Sequence, residues 1–120
     1  MNSGKSLSKE TKIKREEARL RRIYTNLDKN QMKTIDTLFK RAAFLTVSLA
    51  ELEATINEDG YEDTYQNGEH QSGTKQAEAV KTHIAFTRNL TAIIKQLTDL
   101  APPAEKGKSK LKAFREAAKR

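Results

Sequence analysis

The chain has 120 residues (13.6 kDa), 32% charged against 36% hydrophobic, with a formal net charge of +7. That length and balance hold one domain with a modest core, which argues against a large enclosed enzyme pocket. Cysteine is absent, so disulfides, thiolate metal ligands and a cysteine nucleophile are excluded, and no apolar run is long enough to cross a bilayer.

Residues 1–28 read as a basic N-terminal helix. Met1 to Lys12 is polar and lacks the apolar stretch of a secretory signal, so the chain is expected to be soluble and cytoplasmic. Residues 1–29 hold nine Lys or Arg against four Asp or Glu, a net of +5. Leu7 to Leu27 contains no Gly or Pro, and Ile13, Leu20, Tyr24 and Leu27 follow at steps of seven, four and three. That is a helical stripe, with Ser8 as its N-cap. A narrow stripe on so charged a helix must dock on something to stay folded.

Lys12, Arg15, Arg19 and Arg22 follow one another by three, four and three, lining a second side of this helix roughly 120° round from the apolar one. One side docks and the other is free to meet phosphate. Arginine suits bidentate phosphate and guanine contacts, whereas lysine acts as a point charge. Lys14 and Arg21 are counted with this surface, and Lys33, Lys40 and Arg41 extend it on the next helix. The plainer alternative is a solvated face balanced in part by Glu16 and Glu17.

Residues 29–103 read as a helical core. Asp28 with Gln31 three positions on forms a capping box, which predicts a helix beginning near Lys29. Met32, Ile35, Phe39, Ala42, Leu45, Leu49, Leu52 and Ile56 then recur at steps of three and four, while Leu38, Phe44 and Val47 widen the stripe toward a second neighbour. Asn57 to Gly60 stops the helix. Tyr61 to Lys75 alternates and contains Asn67-Gly68, a type I′ hairpin signal. A two-residue turn there sets Gln66 opposite Glu69 and Tyr65 opposite His70, with Tyr61, Asp63, Tyr65, His70, Ser72 and Thr74 on one face.

Gln76 to Leu100 is helical again, with Val80, Ile84, Thr87, Leu90, Ile94, Leu97 and Ala101 in rhythm, and Pro102-Pro103 ends it. Residues 30–103 carry seven basic and ten acidic side chains, a net of −3. Residues 104–120 form a second basic end, seven against two, with Lys106, Lys108, Lys110 and Lys112 ahead of Leu111, Phe114, Ala117 and Ala118 at helical spacing. Such a tail suits folding on a partner.

The predicted fold is mainly α: a long antiparallel helical hairpin with an N-terminal helix and a small β-hairpin at 61–75. Phe39, Leu45, Leu49, Leu52, Ile84, Leu90, Ile94 and Leu97 are its expected core or oligomer residues. Wide stripes on so few helices leave apolar surface uncovered, and self-association is the expected remedy. A near-neutral body with two basic ends suits a polyanion, because counterion release supplies most non-specific nucleic-acid affinity.

Signs of catalysis are scarce. His70 and His83 stand thirteen residues apart with no metal-ligand spacing. Gly4-Lys5-Ser6 and Gly107-Lys108-Ser109 resemble the end of a phosphate-binding loop, but Pro102 stands where the second requires glycine and the first has no room for one. No enzyme activity, metal or cofactor is expected.

The block from Leu45 to Pro102 resembles the small terminase subunits of tailed bacteriophages. The likeness lies in a long helix leading through Leu52-Glu53-Ala54-Thr55-Ile56-Asn57-Glu58-Asp59-Gly60 into a hairpin, Tyr65-Gln66-Asn67-Gly68-Glu69 with Gly73-Thr74-Lys75. A further helix ends in Ile93-Ile94-Lys95-Gln96-Leu97-Thr98-Asp99-Leu100-Ala101-Pro102. Where the family commonly places a proline before that helix, this chain has Gln76-Ala77-Glu78. The resemblance implies a ring-forming homo-oligomer in the host cytoplasm. It would bind double-stranded viral DNA at the packaging start site and present it to a large subunit holding the ATPase and nuclease. Leu111, Phe114 and Arg115 of the tail are the expected contacts with that large subunit. Two other readings stay open: a phage assembly adaptor that binds only protein, and a small helical transcription regulator acting as a dimer on a palindromic site.

Overall fold

The computed structural model describes residues 7–100 apart from 26, 67 and 70. Its elements run α1 (Lys9–Ile23), a short 3-10 turn (Lys29–Gln31), α2 (Met32–Asp59), β1 (Glu62–Gln66), β2 (Ser72–Gln76) and α3 (Glu78–Leu100). The basic tail, with Leu111, Phe114 and Arg115, lies outside the described residues.

Helix α1 starts where the sequence places its cap: the Ser8 hydroxyl accepts from the Thr11 amide at 3.1 Å, relieving one unpaired N-terminal donor. It ends earlier than its stripe, because Tyr24 leaves helical geometry while its amide still bonds the Leu20 carbonyl at 3.0 Å. Tyr24 and Leu27 still reach the core from the following turn. Asp28 caps, but differently from the expected box. Its carboxylate accepts from the Asn30 amide at 2.9 Å and opens the 3-10 turn, so α2 begins at Met32 and not at Lys29.

Helix α2, 28 residues and about 42 Å long, is the spine. Lys9 pairs with Glu51 at 3.0 Å and Arg21 with Asp36, so α1 runs antiparallel along α2 between those positions. His83 meets Glu53 while Leu97 packs with Ile35 and Phe39, so α3 is antiparallel too. Ala42 and Ala43, both fully buried, let the neighbouring helices approach closely. Around them close Leu20, Ile35, Phe39 and Leu97, with the Tyr24 and Phe39 ring centroids 6.3 Å apart. The Tyr24 and Thr98 hydroxyls, 3.4 Å apart, join the ends of α1 and α3.

Among the described residues, α3 is the helix that lies beside the last turns of α2 beyond Glu51. Phe39, Leu45, Leu49 and Leu97 are buried as expected, Leu90 and Ile94 are partly buried against the core, Leu52 is partly exposed, and Ile84 is 47% exposed. Helix α2 stops at Gly60, whose φ of +85° and ψ of −172° belong to a region essentially confined to glycine. Gly60→Ala is expected to cost about 1–3 kcal/mol by this strain, read as a lower urea midpoint, although a Cβ there meets no neighbour.

The hairpin is present, but its register corrects the two-residue turn. Gln66 pairs with Ser72 and Tyr65 with Gly73, so the connection spans 67–71. Opposed residues share a face, which puts Asp63 and Tyr65 with Lys75 and Gly73, and moves Ser72 and Thr74 to the other side. This register sets Tyr65 opposite Gly73, where a Cβ would sit 3.0 Å from the Tyr65 hydroxyl oxygen, so the missing side chain makes room for the ring to lie across the glycine. Nearly every described ribbon residue is exposed, and the Ala77 amide, bonded to the Tyr61 carbonyl at 2.9 Å, carries the ladder toward α3.

Candidate nucleic-acid interface

Leu20 and Ile13 turn one side of α1 into the core, and that fixes where the cations point. Lys12, Lys14, Arg15, Arg19 and Arg22 are all exposed. Among the described residues, no ion pair forms at Lys12, Lys14, Arg15 or Arg22, whereas Arg19 is held by both Glu16 oxygens, at 2.9 and 2.5 Å. The expected stripe therefore contains three unpaired cations, Lys12, Arg15 and Arg22, and one that must leave a carboxylate to take a phosphate.

Arg21 is placed elsewhere. Its guanidinium donates to Glu17 at 2.7 Å and to Asp36, and lies 4.9 Å from the centre of the Phe39 ring. It clamps α1 to α2 and is engaged within the fold. Lys40 joins the same cluster through Asp36 at 3.4 Å. Lys33 is exposed at the start of α2, while Arg41 borders an open groove with Phe44, Leu45, Phe86 and Ile93. Of the nine cations assigned from sequence, the structure brings Lys12, Arg15, Arg19 and Arg22 onto one face and separates Arg21 and Arg41 from it.

Sequence reasoning missed Asp36, the acid that anchors Arg21. The Arg21 hydrogen bond, with Lys40 behind it, holds the Asp36 carboxyl below the ordinary carboxylate range. A group with a depressed folded-state pKa contributes stability above its unfolded value and loses it as pH falls through the folded one. The α1–α2 junction is thus expected to weaken below about pH 4. Asp36→Asn should abolish that part of the acid dependence, as followed by thermal melts across pH 2 to 7.

Among the grooves lined by described residues, two that are largely apolar run beside α3. One, of about 480 Å³, has Phe44, 43% exposed, and Phe86 at its centre, with rings 6.4 Å apart and the Lys9 ammonium 4.8 Å above Phe44. The other, of about 330 Å³, lies at the hairpin end beside Tyr61, Val80 and Ile84. Among the described residues, no group of three or more His, Cys, Asp or Glu is placed to hold a metal, and no helix is long and apolar enough to cross a membrane. No protein-family model matches the chain, and neither does any curated protein or solved structure.

Proposed function

We propose that this chain is the small DNA-recognition subunit of a tailed-phage packaging terminase, working in the host cytoplasm as a ring-shaped homo-oligomer without catalytic activity. In this reading it binds double-stranded viral DNA at the packaging start site and hands it to the large ATPase and nuclease subunit. The observation that carries the reading is the α1 face on which Lys12, Arg15 and Arg22 stand exposed, without an ion-pair partner among the described residues, while another side of the helix is anchored in the core. Unneutralised cations gathered on one face of a docked helix suit a phosphate backbone. The Phe44 groove supplies a motive for self-association, since it leaves apolar side chains in water until another surface covers them. A ring would repeat the α1 face around a duplex.

The test is fluorescence anisotropy of a labelled duplex titrated with the full chain at stepped salt. Four phosphate contacts per copy predict affinity falling on the order of a hundredfold between roughly 50 and 200 mM salt. Affinity that ignores salt, or no binding, removes the proposal and favours the protein-only adaptor.

A further inference from the structure

Charge in this molecule is sorted by position. Residues 51–78 hold eight of the sixteen acidic side chains and one basic one, Lys75, a net of −7. Glu51, the first of them, pairs with Lys9 at the start of α1, and the rest follow it toward the hairpin end. Inside that acidic end lies the smaller groove, lined by Glu53, Ile56, Tyr61, Val80, His83 and Ile84. Tyr61 is 74% and Ile84 47% exposed, and the Glu53 carboxylate meets the His83 Nε2 at 3.0 Å on its rim. An apolar floor with the Glu53 carboxylate on its rim, set in the most acidic stretch of the chain, suits a basic amphipathic segment better than nucleic acid.

We infer that this groove is the seat of the chain's own basic C-terminal segment, residues 104–120. The segment has the complementary chemistry: a net of +5 and an apolar row, Leu111, Phe114 and Ala118, at the spacing of one helix face. Leu111 and Phe114 cover Ile84 and Tyr61 while the surrounding lysines face Glu53 and its acidic neighbours. Reach permits it. From Leu100 back to Ile84 is about 24 Å along α3, and the eleven residues from Leu100 to Leu111 extend to about 36 Å. The same tail stripe is the one assigned above to the large subunit, so groove and large subunit compete for it. Seating of the tail does not depend on DNA binding.

The absence of cysteine makes the test direct. The full chain carrying Asn57→Cys, on the groove's edge, and Ala113→Cys, beside the tail's apolar row, is treated with a short bis-maleimide and the linked peptides are mapped by mass spectrometry. Both substitutions leave Tyr61, Ile84, Leu111 and Phe114 in place. A control carries Asn89→Cys, exposed in the Phe44 groove, with Ala113→Cys. Because Asn57 and Asn89 are exposed, both variants should retain the parent's helix content by circular dichroism. The expected result is a 57–113 link several-fold above the 89–113 link, lost in 1 M salt and reduced by Glu53→Lys with Glu58→Lys. Mixing the two single variants tells a neighbour's tail, which gives a linked dimer, from the chain's own, which does not, and a linked dimer in place of the internal link overturns the inference. Equal yields from both pairs, a preferred 89–113 link, or a 57–57 link between copies overturns it as well. None of these readouts involves DNA, so its failure is distinct from failure of the terminase reading.

Discussion

Replacing Lys12, Arg15 and Arg22 together by alanine is expected to weaken duplex binding by about one to two orders of magnitude at low salt, equally for all DNA sequences. The plot of log affinity against log salt should flatten by about three, close to 0.9 for each phosphate that is no longer neutralised. Arg19→Ala should cost less than any of these, because in the free protein that guanidinium is already bonded to Glu16 at 2.9 and 2.5 Å. Arg21→Ala should leave the salt slope unchanged and lower stability, since its partners are Glu17, Asp36 and the Phe39 ring. Anisotropy across a salt series separates these variants. A triple variant with the parent's slope would show that α1 is a solvated face and nothing more.

The largest loss of stability is expected from Phe39→Ala. Phe39 is 2% exposed, stacks at a tilt on Tyr24, lies beneath Arg21 and shares the core with Ile35 and Leu97. Emptying that site should cost about 3–5 kcal/mol, a large fraction of the roughly 5–15 kcal/mol that holds a domain together. Urea titration at fixed protein concentration should show a lower midpoint with little change in slope. Phe44→Ala is the informative companion. At 43% exposure it should cost little in stability, so a shift toward smaller assemblies in that variant would identify the Phe44 groove as an interface between copies.

Much of the fold is legible in the sequence where a local pattern governs. Ser8 caps α1, the three-four rhythm through Phe39 and Leu49 builds α2, and a two-stranded ribbon divides the long helices. What escapes depends on distant partners. Asn67-Gly68 favours a tight turn, but the ladder pairs Tyr65 with Gly73, where the ring lies over the glycine, a contact between residues eight apart that no local pattern announces. Arg21 reads as one more cation on α1 until Asp36, fifteen residues on, is brought beside it. The Glu53–His83 pair likewise exists only because α2 and α3 are antiparallel. Ile84 fits the apolar rhythm of α3 yet remains exposed, since α1 reaches only as far as Glu51 and nothing among the described residues covers α3 beyond it. The acidic concentration at 51–78 is readable from charge counts alone, hidden only by averaging over the whole middle of the chain.

Sedimentation velocity of the full chain, alone and with a short duplex, tests the central claim that copies assemble through uncovered apolar surface and so array the α1 cations around DNA. The account predicts an oligomer that takes up the duplex at low salt and releases it at high salt while staying assembled. A chain that sediments as a monomer at every concentration and leaves the duplex unmoved would contradict it.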